Sequence, residues 1–153
     1  MELNIFDAHA HYDDEEFDED RDKVIEELKK NNIVGVLNCG SSIEGARSSV
    51  KLADKYDMFY AAVGVHPEYS DVFTQDILEE LKILAKNKKV KAIGEIGLDY
   101  YYKENPPKEV QKAVFIKQMK LADELKLPVI IHDREAHEDT LNIVKQFKNV
   151  IGE

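Results

Sequence analysis

The chain has 153 residues, and 21 Lys and Arg against 31 Asp and Glu give it a net charge of −10. Its length suits one domain or part of one, and 43% hydrophobic with 34% charged residues is typical of a folded globular protein. No apolar run approaches the roughly 20 residues that a membrane-spanning helix needs. The acidic balance argues against a basic nucleic-acid-binding surface, but not against a site whose positive charge comes from bound metal ions.

The N-terminal segment and the cysteine content both predict a cytoplasmic protein without a membrane partner. The segment MELNIFDAHAHYDDEE carries acids where a secretory signal would carry bases. The single cysteine, Cys39, excludes an internal disulfide and fits a reducing compartment. We expect Cys39 to be a small buried residue, since no base motif lies near it.

Short apolar runs rich in Val and Ile alternate with amphipathic runs along the whole chain. Such runs are typical of parallel strands that are buried on both faces. The predicted strands are Leu3–Asp7, Ile33–Asn38, Met58–Val63, Val90–Glu95 and Pro128–His132. The predicted helices lie near residues 20–31, 43–56, 74–87, 108–126 and 137–147. Five βα units in series predict parallel pairing with right-handed crossovers.

Two α/β architectures compete for this pattern, a doubly wound open sheet and a (β/α)8 barrel. The glycine-rich phosphate-binding signatures of nucleotide folds are absent from the sequence. Polar residues instead follow at least four of the five predicted strands, where barrel enzymes place their chemistry. A complete barrel takes about 250 residues. We therefore expect residues 1–153 to form one partial barrel domain, about the first five βα units, without the last strands.

The first predicted strand leads into two histidines, His9 and His11. Side chains two residues apart on a strand point to the same face, so both rings can converge on one point. Neutral imidazoles are common ligands of divalent transition metals. By itself this His-x-His pattern is equally compatible with two surface histidines.

The third and fourth predicted strands also lead into titratable side chains. His66 follows the third strand and is open to three interpretations: a metal ligand, a proton donor or a loop residue. Glu95 emerges from an otherwise apolar strand between Gly94 and Gly97. A buried carboxylate is costly unless it is paired or binds a metal, so Glu95 is predicted to be a metal ligand. The fifth strand ends in His132 and Arg134, a second imidazole and a guanidinium suited to phosphate.

Together these motifs resemble those of TatD-family metal-dependent deoxyribonucleases, from Met1 to about Val150. The resemblance rests on four segments in the family's order and at roughly its spacing: Asp7-Ala-His9-Ala-His11, Gly64-Val65-His66-Pro67, Gly94-Glu95-Ile96-Gly97-Leu98-Asp99-Tyr100 and Ile131-His132-x-Arg134. The third segment is the most specific of the four.

The resemblance implies a hydrolase barrel that holds two divalent metal ions, Mg, Mn or Zn, and cleaves DNA phosphodiester bonds. It assigns His9 and His11 to one ion, His132 to the other, and Glu95 as a bridge between them. Glu95, Asp99 and Arg134 fall on catalytic positions, while His66 and Arg134 are expected to contact the substrate. DNA is then the expected partner.

The sequence departs from the family pattern at its C-terminal end. Family members continue into a sixth strand with a further metal-binding histidine and later supply a metal-binding aspartate, and neither motif occurs here. The expected activity of this short chain is therefore impaired. A second hypothesis is an inactive, regulatory or split-protein fragment that associates with another copy or with a complementing C-terminal fragment. A third is a different amidohydrolase-like metallohydrolase.

Overall fold

A computed structural model describes residues 3–150 of the chain, in which five strands alternate with five α-helices. The strands are β1 (Ile5–Ala10), β2 (Ile33–Cys39), β3 (Phe59–Val63), β4 (Val90–Asp99) and β5 (Val129–Arg134). The helices are α1 (Arg21–Lys30), α2 (Ile43–Lys55), α3 (Gln75–Leu84), α4 (Lys108–Leu125) and α5 (His137–Val144). Short 3₁₀ helices at Glu15–Phe17 and Pro67–Val72 follow β1 and β3. The predicted βα alternation is confirmed.

The five strands form one parallel sheet in the order β1-β2-β3-β4-β5. Laid flat, such a sheet would separate its first and last strands by about 19 Å. Side chains from both strands nevertheless reach one carboxylate: the Glu95 oxygens lie 3.2 Å from His9 Nε2 and 3.0 Å from His132 Nδ1. The sheet is therefore curled into an incomplete barrel, as the sequence predicts.

The helices cover one face of this sheet with a large apolar core. Its largest fully buried side chains include Phe59, Leu81, Phe115 and Met119. The opposite face carries a smaller cluster of side chains from the strands alone, namely Leu37, Cys39, Ala62, Ala92 and Ile130. Cys39 is fully buried there, and burial raises the pKa of its thiol to about 12. The prediction that Cys39 is a small buried residue is confirmed.

Strand β4 runs four residues beyond its predicted end at Glu95, as far as Asp99. The extension pairs with β5, from Ile96 opposite Ile131 to Asp99 opposite Arg134. Gly97 makes this close pairing possible, because its φ is +147° and an added Cβ would lie 2.0 Å from the His132 carbonyl oxygen. Gly94 also lies close to its neighbour on β5, since an added Cβ there would lie 2.7 Å from Ile130 Cβ.

No helix in residues 3–150 is both long enough and apolar enough to cross a membrane.

Candidate metal centre

Glu95 is the centre of a polar cluster at the carboxyl ends of the strands. Its side chain is only 9% exposed, and three histidines surround it. Oε2 lies 3.2 Å from His9 Nε2 and 3.4 Å from His11 Nε2, while Oε1 lies 3.0 Å from His132 Nδ1. The structure thus brings together the four side chains that the sequence predicts as metal ligands.

The donor atoms of His9, His11 and Glu95 form a nearly regular triangle. Its sides measure 3.2 Å and 3.4 Å from Glu95 Oε2 to the two Nε2 atoms, and 3.2 Å between those Nε2 atoms. Ligand atoms around a tetrahedral ion with bonds of about 2.0–2.1 Å lie about 3.3–3.4 Å apart. Two imidazoles and one carboxylate at this spacing therefore fit a divalent transition metal ion, both in chemistry and in separation.

His132 lies between two carboxylates, one on each ring nitrogen. Nδ1 faces Glu95, and Nε2 lies 2.9 Å from Asp99 Oδ2. The other Asp99 oxygen accepts a hydrogen bond from the Tyr101 backbone N–H at 3.0 Å. Asp99 thus fixes the orientation of the His132 ring and leaves Nδ1 directed at Glu95, a common arrangement behind metal-bound histidines.

His66 faces the same cluster from the loop after β3. Its ring packs edge-on against His132 with centroids 4.2 Å apart. One ligand atom each from His66, Glu95 and His132 lie within 4.8 Å of one another. The Glu68 backbone N–H donates to His66 Nδ1 at 3.3 Å, which places the proton of the neutral ring on Nε2. Of its predicted roles, this tautomer favours donation to a substrate over metal ligation.

The electrostatics of the cluster follow from burial and from the shared carboxylate. Burial alone would raise the pKa of Glu95, but hydrogen bonds from His11, His132 and His9 outweigh it and hold that pKa below its ordinary value. The Glu95 hydrogen bond raises the pKa of His11. Burial lowers the pKa of His132, but hydrogen bonds to Glu95 and Asp99 outweigh burial and raise that pKa above its ordinary value. Burial lowers the pKa of His66 to about 4, so this ring is neutral near pH 7.

A buried amide on β2 holds the chain segment that follows His11. Asn38 Oδ1 accepts from the Tyr12 backbone N–H at 2.6 Å, and Asn38 Nδ2 donates to Asp13 Oδ1 at 2.7 Å and Ser49 Oγ at 2.8 Å. Its acceptor and both of its donors are thus used. This network ties the end of β1 to β2 and α2, and so fixes the position of His11.

Two buried glutamines on α4 hold the ends of β3 and β4, and the sequence analysis missed both. Gln118 accepts from the Val65 N–H at 2.8 Å and donates to the Val65 carbonyl at 2.9 Å. Gln111 makes the same pair of bonds to Asp99, each at 2.9 Å. The sequence does place two amides seven residues apart, on the face of the helix that is buried. Because buried polar groups require hydrogen-bond partners, this spacing could have indicated that both glutamines bond to the neighbouring strands.

Arg134 lies beside the cluster and not within it. Its guanidinium is exposed and donates from Nη1 to the Tyr102 hydroxyl at 3.2 Å. On another side of the cluster, a cavity of about 280 Å³ is lined by His11, Asp13, Asp14, Ser41, His66, Glu68 and Glu95. These acidic walls make the cavity a poor site for an anionic group in the absence of cations.

A curled parallel sheet with a histidine and carboxylate cluster at the carboxyl ends of its strands defines a hydrolase barrel of the metal-dependent kind. Residues 6–152 match the family described as TatD related DNase. The chain therefore belongs to the TatD family, and its architecture is the barrel and not the open sheet.

Two bacterial proteins are similar to this chain in sequence. Over 142 residues the chain is 39% identical to the "Uncharacterized metal-dependent hydrolase YabD" of Bacillus subtilis; the alignment covers 93% of this chain and 55% of that relative. It is also 34% identical to the "3'-5' ssDNA/RNA exonuclease TatD" of Erwinia tasmaniensis, in an alignment that covers 92% of this chain and 54% of that relative. The chain thus spans about half the length of the curated relatives it matches.

The fold is also similar to that of a solved relative. The crystal structure of YJJV, a TatD homologue from Escherichia coli K12, superposes with a TM-score of 0.88 at 30% identity. The match covers 96% of this chain and 57% of the other. The predicted class, the first βα units of a metal-dependent hydrolase barrel, is confirmed.

The Gln118 contacts generate a stability prediction. In Gln118→Met the volume is nearly retained, but the buried Val65 N–H and carbonyl lose their partners. We expect the free energy of unfolding to fall by about 2–6 kcal/mol, since each of the two buried unpaired groups costs about 1–3 kcal/mol. Urea denaturation measures this change. The matched control is Gln146→Met, because Gln146 is exposed, and it should change the value by less than about 0.5 kcal/mol. Equal effects of the two substitutions would show that the Gln118 hydrogen bonds to Val65 do not stabilise the fold.

Proposed function

We propose that this chain carries part of the active site of a phosphodiesterase that hydrolyses DNA at a two-metal centre. The observation that carries the proposal is that the two oxygens of the Glu95 carboxylate face different histidines. Oε2 faces His9 and His11, and Oε1 faces His132, so each oxygen belongs to a separate set of nitrogen donors. A carboxylate with its two oxygens divided in this way could hold two cations, one on each oxygen.

The donor chemistry narrows the choice of ion. Imidazole nitrogens suit transition metals such as zinc and manganese, whereas magnesium prefers oxygen ligands and retains its water. We therefore favour manganese or zinc over magnesium. When bound, two such ions supply an activated water and stabilise the attacking and leaving oxygens of a phosphodiester.

The side chains around this centre have separate proposed tasks. Neutral His66 directs its Nε2–H into the site, where it donates to a substrate oxygen. Asp99 holds His132 in position and does not itself reach the substrate, because its side chain is only 2% exposed. Arg134 binds a phosphate oxygen at the rim. A further histidine and aspartate would complete the site, from additional chain or from a second polypeptide.

A second candidate function is association without catalysis, as part of a split or regulatory protein. The observation that favours it is the exposure of apolar side chains on the β1 edge and the neighbouring strand, namely Leu3, Ile5, Phe6 and Val34. An apolar sheet edge is a template for pairing with further strands, in a homo-oligomer or a complementing fragment. This function does not depend on Glu95, so a Glu95 variant separates the two candidates.

The hydrolase proposal predicts the effect of Glu95→Gln, which keeps the shape of the side chain and removes its charge. Because both nitrogen sets share this carboxylate, we expect Mn²⁺ affinity to fall at least ~100-fold and metal-dependent cleavage of single-stranded DNA to be lost. Isothermal titration calorimetry and a gel-based cleavage assay measure the two effects. Glu26→Gln, at an exposed position on α1, is the matched control. A Glu95 variant that binds and cleaves like the control would refute the proposal.

The raised pKa values of His11 and His132 predict a pH-dependent affinity for metal. Because these rings hold their protons to higher pH than ordinary histidines, a cation must displace those protons. Apparent Mn²⁺ affinity should therefore fall as the pH is lowered from about 8 to about 6, and binding should release protons. Calorimetry in buffers of different ionisation enthalpy measures the number released. A constant affinity without proton release would contradict the assigned ligands.

A further inference from the structure

His66 reaches the metal centre from a loop, three residues beyond the end of β3. It is nevertheless buried, with its ring against that of His132. The peptide group that precedes it is held on both sides. The Val65 carbonyl oxygen accepts from Gln118 Nε2 at 2.9 Å, and the His66 N–H donates to the Ser41 carbonyl at 2.8 Å. Because this peptide group is bonded to the His66 Cα, its orientation sets the direction of the imidazole.

Gln118 holds this peptide group from another part of the chain. It lies on α4, 53 residues from Val65, and is fully buried. Its amide bonds both polar groups of Val65, since it also accepts from the Val65 N–H at 2.8 Å. Two bonds from one planar amide restrict the rotation of a backbone segment in a way that one bond does not, and a buried pair that is fully satisfied is rigid. The backbone position of His66 therefore depends on Gln118.

Two groups of Glu68 compete for the Nδ1 atom of His66. The Glu68 backbone N–H donates to Nδ1, which requires that this nitrogen carry no proton, whereas the Glu68 carboxylate lies 3.8 Å away and would accept a proton from it. The backbone bond leaves the proton on Nε2, but the carboxylate would leave Nε2 bare, as a metal ligand must be. At 3.3 Å the backbone bond is long, so a small displacement of the loop would favour the carboxylate.

The second glutamine of α4 provides a matched comparison. Gln111 is equally buried and makes the same pair of bonds, each 2.9 Å long, to the backbone of Asp99. A further bond of 2.8 Å to the Pro106 carbonyl means that its loss removes at least as many hydrogen bonds as the loss of Gln118. Asp99 pairs with His132, so Gln111 supports a different histidine of the cluster.

We propose that Gln118 is a positioning residue that holds the His66 ring in the form with its proton on Nε2. In this form the ring donates a hydrogen bond to a substrate oxygen. Without Gln118 the loop relaxes toward the Glu68 carboxylate, and exchange through water transfers the proton from Nε2 to Nδ1. Nε2 then becomes a further nitrogen ligand beside Glu95 and His132. The donor role rests on the proposed hydrolase function, whereas the position of the proton does not.

The test is ¹⁵N NMR of the metal-free chain, labelled in histidine and recorded near neutral pH. The protonated and the bare nitrogen of a neutral imidazole give well separated signals, so the spectrum reports the position of the proton directly. We expect His66 of the unaltered chain to carry its proton on Nε2. In Gln118→Met the two signals should move toward each other as the Nδ1–H form gains population. Gln111→Met, the matched control, should leave the His66 signals separated.

Unchanged His66 signals in folded Gln118→Met, or equal changes in the two variants, would overturn the proposal. If Gln118→Met does not fold, Gln118→Glu replaces it. The neutral acid can make both bonds to Val65, whereas the ionised acid repels the Val65 carbonyl oxygen. Burial raises the pKa of such an acid, and raising the pH through that pKa should bring the His66 signals together. Signals that stay apart in the ionised variant would likewise overturn the proposal.

A second readout separates this inference from the proposed function. In Mn²⁺-dependent cleavage of DNA, Gln118→Met should lower kcat about 10- to 100-fold with little change in KM, because the donor is misplaced. It should cause no further loss in the His66→Ala background, and a further loss there would overturn the proposal. Cleavage by the unaltered chain, with His66 signals that do not depend on Gln118, refutes the positioning role and leaves the hydrolase proposal standing. Signals that depend on Gln118 in a chain that cleaves no DNA support the positioning role and refute the hydrolase proposal.

Discussion

The structure depends on one buried carboxylate in particular, that of Glu95. A carboxylate removed from water is stable only where hydrogen bonds and positive charge replace its hydration. His9 and His11 from the first βα unit and His132 from the fifth strand provide these partners. The sheet must curl for these side chains to meet, so the curvature of the sheet and the arrangement of the candidate metal centre depend on each other.

The scaffold around Glu95 is built from buried amides and not from apolar packing alone. Asn38, Gln111 and Gln118 each bond backbone or side-chain groups at the carboxyl end of a strand, and each is at most 2% exposed. Because a buried amide leaves costly unpaired groups when its partners shift, these bonds hold the strand ends in one arrangement. Donor positions accurate to a fraction of an ångström, which metal binding requires, are thus stabilised from outside the metal centre.

Much of this arrangement could be predicted from local patterns in the sequence. The Val- and Ile-rich runs indicate parallel strands. Glu95, a carboxylate within an otherwise apolar run, indicates a buried site that binds a metal or pairs with another side chain. The extension of β4 to Asp99 could not be predicted, since it depends on pairing with β5 through Gly97. The roles of Gln111 and Gln118 depend on backbone groups 12 and 53 residues away, respectively, which no local pattern specifies. The tautomer of His66 depends on the backbone conformation of the loop after β3, in which the Glu68 N–H reaches Nδ1.

Anomalous X-ray diffraction from crystals grown with Mn²⁺ tests the proposal that Glu95 and its histidines bind metal. We expect one peak bonded to His9 Nε2, His11 Nε2 and Glu95 Oε2, and a second between Glu95 Oε1 and His132 Nδ1. Manganese bound only elsewhere on the chain, with the His9 and His11 rings still hydrogen-bonded to Glu95, would contradict it.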